Sequence, residues 1–231
     1  MRCKNRAASR NMTTFLILKY FHILLFVFWL GTDMGTFYSS RFVIDPKLSG
    51  PQRATALQIL LGCDLGPRIA MPLIMPTGLH MASIIGLFKI STLGLVFIWL
   101  AGVVWLALVL SLHFGKDEAT KAKLSKIDFW IRPIIVIGVG AIALYSLYQP
   151  TYITAPYLAW KLLIVCGLIL CGLAIRYHLG IFKPAFKNMM MGQDLDNANH
   201  IIKKKMSDCM PYVYGIWIGL LLNAALGLHL I

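Results

Sequence analysis

What most constrains this chain is the distribution of its apolar residues. They fall in long, nearly uncharged runs, each about the length of a bilayer crossing, separated by short polar stretches. A helix needs roughly 20 mostly apolar residues to cross the hydrocarbon core. Such runs occupy 15–38, 57–86, 91–113, 130–149, 157–178 and 211–230. No ten-residue alternation of the kind that marks barrel strands is present, and in lipid only helices or closed barrels satisfy the backbone. Only 13% of the residues are charged, against about 25% in a soluble domain. The sequence therefore predicts an all-α integral membrane protein. It is expected to be a single domain over 1–231, a bundle of about six transmembrane helices whose second helix is kinked by Pro67, Pro72 and Pro76.

The net charge of +13 points away from nucleic acid, because the basic residues sit between the apolar runs. There they set topology and meet anionic lipid headgroups. The segments after runs 1, 3 and 5 carry Arg41, Lys47 and Arg53, then Lys116, Lys121, Lys123, Lys126 and Arg132, then Arg176, Lys183, Lys187 and Lys203 to Lys205. The other side has Lys89 and an uncharged 150–156 loop. With the first eleven residues discounted, the positive-inside rule puts both termini on the outer side of a bacterial inner membrane. Arg2, Lys4, Arg6 and Arg10 reverse that orientation if they control insertion, and Met12 is an alternative start. Asp194 to Met206 reads as a short interfacial helix. The cysteines at 3, 63, 166, 171 and 209 have no metal-ligand spacing.

Ionisable groups inside spans are functional candidates by default. His22 and Asp33 are eleven residues apart, three turns, and so share a helix face with Phe26 and Trp29 between them. Asp64 and Arg68 stand at i and i+4, suited to an ion pair, and Met71 and Met75 continue that stripe. Depth sorts the rest. His22, early in span 1, and His80, late in span 2, belong to one leaflet with Lys161 and His229. His113 and His178 fall at the opposite side with Asp33, Asp64 and Arg68. Two histidines from different helices at matched depth suit a bis-imidazole haem iron, and a nearby Lys or Arg would neutralise the propionates. The ligand candidates are thus His22 and His80, with Arg68 and Lys161 as cofactor-binding cations and His113 with His178 as a weaker pair. Each also has a plainer reading. Histidines near helix ends often bond headgroups or carbonyls, Asp64 with Arg68 is a packing pair, and methionines usually fill cores.

The run Leu18-Lys19-Tyr20-Phe21-His22, followed by Trp29 and Gly31, resembles the first helix of HemJ-type protoporphyrinogen oxidases and of the related CopD-type copper-resistance membrane proteins. Arg68, Pro76 and Gly78 are similar to the start of that family's second helix, with Thr77 intervening. Tyr157 to Leu162 is similar to its W-L-H-I-K-L segment, with Ala159 in place of the histidine. The resemblance covers about a third of the chain; it implies haem b on His22 and protoporphyrinogen IX oxidation. Three readings follow. The first is a b-type haem redox protein exchanging electrons with quinone or a partner redox subunit, either HemJ-like or a cytochrome b-like anchor. The second is a CopD-like copper handler using histidines, Met71, Met75 and Cys63. The third is an assembly subunit whose polar groups only specify packing. A proton or ion relay through Asp33, Asp64 and Arg68 is a further alternative, whereas no GxxxxGK[ST] motif supports nucleotide hydrolysis.

Overall fold

The computed structural model describes the backbone of residues 2–230 and the side chains of residues 9–230. The side chains of Arg2, Cys3, Lys4 and Arg6, and Met1 itself, lie outside the described residues. Six helices follow in order: α1 Arg2–Val43, α2 Gly50–Ile84, α3 Thr92–Phe114, α4 Glu118–Tyr148, α5 Pro156–Met190 and α6 Leu195–Gly227. All six are long and apolar enough to cross a membrane, so the chain is an all-α six-helix membrane bundle. Each helix packs on its sequence neighbours, and α6 closes back onto α1, more lightly than the other contacts. The α1–α2 and α5–α6 pairs are the most extensive.

Helix starts follow local chemistry. The Ser91 hydroxyl accepts from Gly94 N at the head of α3, and the Asp117 carboxylate accepts from Ala119 N and Thr120 N at the head of α4. Both satisfy amides that have no partner within a helix. Pro51 and Pro156 occupy first turns, where no N–H is needed. The α5–α6 turn runs through Gly192 at φ 70°, a backbone conformation that glycine adopts freely.

α2 remains one continuous helix through Pro67, Pro72 and Pro76. Pro76 has no N–H, so the Pro72 carbonyl loses its usual partner. α3 meets that carbonyl with Gly102; a Cβ there would lie 2.7 Å from Pro72 O and from the Pro76 ring. The missing side chain lets the two backbones close over the interruption.

Three apolar clusters stack along the bundle. The central one joins Trp29, Ala70, Met71, Trp105, Ile169 and Leu220, with Ile131, Ile135 and Val136 of α4 against it. A second lies beyond it toward the α1–α2 and α5–α6 turns, where Val43, Leu60, Phe182, Phe186, Ile202 and Met206 come from α1, α2, α5 and α6. The third, with Leu79, Ala143 and Leu162, closes the opposite end. There the α2–α3 and α4–α5 loops pair through Lys89 N to Tyr152 O (2.8 Å) and Thr154 N to Leu87 O (3.0 Å).

The second cluster corrects one expectation. The segment Asp194 to Met206 is not a separate interfacial helix: α6 runs from Leu195 straight through Pro211. Ala198, Ile202 and Met206 are buried against α5, so packing extends the helix beyond the apolar run that hydropathy detects.

Candidate functional site

The polar residues of the bundle form two layers. The first lies toward the α2–α3 and α4–α5 loops. α1 presents His22 to α2, where its Nδ1 is 2.9 Å from Thr77 Oγ1. The imidazole lies over Gly78; a Cβ there would stand 3.0 Å from His22 Cε1, so the absent side chain makes the seat. Thr77 has one hydroxyl hydrogen, and the carbonyls of Leu73 (2.9 Å) and Ile74 (3.0 Å) are its acceptors. With the Thr77 hydrogen on one of these carbonyls, the Thr77 oxygen accepts from His22 Nδ1–H and His22 Nε2 carries the lone pair; with the hydrogen on His22 Nδ1 the roles reverse.

His80 is arranged differently. Trp99 of α3 donates its indole N–H to His80 Nδ1 at 3.2 Å. Tryptophan only donates, so Nδ1 is the acceptor and the neutral ring bears its proton on Nε2. The two imidazoles thus engage different helices, His22 the Thr77–Gly78 step of α2 and His80 the indole of α3. Lys161 of α5 lies in the same layer, between Ala159 and Leu162, which pack with Leu79 of α2. Its Nζ is 2.8 Å from where a Gly227 Cβ would be. His229 sets its ring edge-on to Tyr157 at 4.8 Å. Next to this layer an open, wholly apolar cleft of about 180 Å³ lies between α1 and α2, lined by Phe21, Leu24, Leu25, Phe28, Ile69 and Ala70.

The second layer lies toward the other loops. Asp128 of α4 is its centre. Oδ1 accepts from Trp105 Nε1 at 2.9 Å, while Oδ2 accepts from Arg132 Nη2 at 3.3 Å and pairs closely with Arg176 of α5. Arg176 also donates to Ser125 Oγ at 2.8 Å. Arg132 reaches Met71 Sδ at 3.5 Å and stacks over the Trp105 ring at 5.7 Å. Sequence reasoning missed this network. Its signal was the Asp128–Arg132 spacing of four, the spacing that marked Asp64 and Arg68. Those two do pair, with side chains 26% and 44% exposed. Asp33 accepts from Trp217 Nε1 of α6 at 2.7 Å. It lies on the buried face that also carries Leu18, His22 and Trp29, as the eleven-residue spacing predicts.

The two weaker histidine candidates have separate surroundings. His113 is exposed at the end of α3 with its ring against Phe114. His178 stacks on Tyr212 of α6, its Nδ1 3.7 Å from Asp208 Oδ2. That separation is too long for a hydrogen bond, and the nitrogen has no other partner.

Among the described residues no group of three or more His, Cys, Asp or Glu converges as a metal site, and Met71 spends its sulfur on Arg132. For a haem, His22 fits the role of a ligand oriented by a bond at its other nitrogen. His80 fits only if its bond to Trp99 breaks. Comparison of the chain with protein-family models, with curated proteins and with solved structures finds no match.

Proposed function

We propose that this protein is a membrane-embedded redox protein of the b-type haem class, with His22 as the axial ligand through Nε2. The observation that supports this reading is the Thr77 contact: with Nδ1–H donated to the Thr77 oxygen, His22 Nε2 would be free to ligate inside a membrane span. The Lys161 ammonium, in the same layer, would neutralise a propionate. The α1–α2 cleft would take one apolar edge of the macrocycle. At about 180 Å³ it is smaller than the roughly 300 Å³ at which enclosed ligand sites begin, so much of the ring would face lipid or a partner. The bound group would supply one-electron chemistry. The chain's own residues would ligate it, orient the imidazole and balance its charge. His80 would be a second ligand only with Trp99 displaced.

The resemblance of span 1 to HemJ-type proteins makes protoporphyrinogen IX the substrate to try first, with membrane quinone as acceptor. A cytochrome b-like subunit serving a separate dehydrogenase is the variant of the same reading. The basic loops support a bacterial inner membrane with both termini on the outer side. Single-cysteine labelling at Lys47 and Thr151 in intact cells tests that orientation, with only the second expected to react.

The decisive measurement is the absorption spectrum of the detergent-purified protein, oxidised and reduced. A Soret band that disappears or shifts in His22→Ala is expected. A purified protein that shows no Soret band after reconstitution with haem ends the reading. Stoichiometric copper without iron would replace it with the copper-handling alternative.

A further inference from the structure

We propose that the cavity between the α1–α2 turn and the start of α6 binds a phosphate-bearing anion, a site separate from the His22 layer. The cavity measures about 410 Å³ and is lined by Arg41, Ile44, Asp45, Pro46, Asn199, His200 and Lys203. Its donors come from two helices. Arg41 closes α1 and is steadied by stacking over Phe37 and Tyr38, 5.1 and 5.9 Å from the ring centres. Lys203 and His200 stand one turn apart on α6.

Asn199 is oriented by a residue behind it. Arg53 is 2% exposed and anchored by Nε to Val43 O at 2.8 Å. Its Nη1 donates to Asn199 Oδ1 at 2.7 Å. That bond commits the amide oxygen and leaves the Asn199 NH₂ as a donor, with no hydrogen bond of its own among the described residues. Arg53 Nη2 is buried and unpartnered as well. The one acid, Asp45, folds its Oδ1 back onto Lys47 N at 2.9 Å. Two cations, an imidazole and an oriented amide therefore face one carboxylate, a surplus of donors suited to phosphate oxygens.

Depth fits the same ligand. Arg41 is three residues beyond the apolar run that ends at 38, and Lys203 is eight before the run that begins at 211. At 1.5 Å per residue these are about 5 and 12 Å past the hydrocarbon boundary, the layer of lipid phosphates and the water just beyond. The phosphate can belong to an anionic lipid headgroup or to a soluble phosphate compound, and the test separates the two.

The full chain, purified in detergent, is titrated with phosphatidylglycerol and with phosphatidylcholine and followed by native mass spectrometry. Inorganic phosphate and pyrophosphate are titrated by calorimetry. The variants are Arg41→Gln with Lys203→Gln, both exposed side chains whose loss leaves the core intact, and Lys123→Gln as a control outside the cavity. Phosphatidylglycerol is expected to bind in preference to phosphatidylcholine, about tenfold more weakly in the double variant and unchanged in the control. If the inorganic anions bind instead, and the double variant loses them, the site stands with a soluble ligand. The proposal is overturned if the double variant binds like the wild type, if the control loses as much, or if neither class of phosphate binds.

Discussion

Replacing Asp128 by Asn removes one charge from the most buried ionic cluster in the bundle and changes almost no volume. The amide oxygen can still accept from Trp105 Nε1, so that 2.9 Å bond survives. What is lost is the anion between Arg132 and Arg176. The Asp128 and Arg132 side chains are 3% and 8% exposed and that of Arg176 is 29% exposed, so solvent screens the two guanidiniums that then face each other only from the Arg176 side. Breaking a buried pair by removing one partner costs about 3–5 kcal/mol. Asp64→Asn is the internal reference, because its pair with Arg68 is 26% and 44% exposed and such pairs contribute about 0–1 kcal/mol. The two carboxylates should thus differ by at least about 2 kcal/mol, roughly thirtyfold in the unfolding equilibrium. Reversible unfolding in mixed lipid–SDS micelles, followed by tryptophan fluorescence, measures the difference directly. Equal losses for the two variants would refute the argument that burial sets the cost. If the cluster only specifies packing, joint replacement of Asp128, Arg132 and Arg176 by Leu, Met and Leu recovers most of the stability.

Glycine positions give a sharp contrast. Gly102→Ala drives a methyl to 2.7 Å from the Pro72 carbonyl and should cost about 1–3 kcal/mol as overpacking, whereas Gly31→Ala, with nothing within 4 Å, should stabilise α1 by about 0.5–1 kcal/mol in the same assay. Thr77→Val keeps the shape but removes the hydroxyl that meets His22, so any haem spectrum should weaken or broaden about as far as second-sphere losses usually do, 10- to 100-fold in affinity. An unchanged spectrum would show that the tautomer argument is wrong. Asp117, held below the usual carboxylate range chiefly by the Thr120 hydroxyl and then by the Thr120 and Ala119 amides, should cap α4 at neutral pH. The cap should be lost as pH falls through its lowered pKa, which hydrogen exchange at Thr120 reads out. Asp117→Ala should leave that exchange without the acid transition.

The number of helices is legible in the sequence because hydrocarbon thickness fixes the length of each apolar run. Their ends are not. α4 begins at Glu118 and α6 at Leu195, well before the apolar runs that start at 130 and 211. The extra turns of α6 are held by burial of Ala198, Ile202 and Met206 and the last of those in α4 by Asp128, bonded to Trp105 and Arg176, neither of which hydropathy records. The polar layers divide the same way. Asp64 with Arg68 could be read from spacing along one helix. Arg176 reaches Asp128 from another helix, and no local pattern announces it. The shared depth of His22 and His80 is likewise visible, whereas the partners that distinguish them, Thr77 and Trp99, emerge only when α2 is packed between α1 and α3.

Those partners make the choice between one imidazole ligand and two experimentally separable. In the packed bundle His80 offers its Nδ1 lone pair to the Trp99 indole, and its Nε2 carries the proton. Ligation through Nε2 requires the proton to move to Nδ1, where it would meet the indole N–H head-on. If the proposed haem binds, the wild type should therefore hold it through a single protein imidazole and take up exogenous ligands such as cyanide or imidazole. Trp99→Phe keeps the ring edge but removes the N–H, freeing either tautomer of His80. If His80 lies within reach of the His22-bound iron, the variant should convert to a low-spin, bis-imidazole spectrum that resists exogenous ligand, and His80→Ala should reverse it. If Trp99→Phe remains five-coordinate, His80 is a packing residue for α3 and the site rests on His22 alone. A wild type that is already bis-imidazole and loses one ligand in His80→Ala would overturn the assignment of the His80 tautomer, and with it the claim that the Trp99 bond decides the coordination.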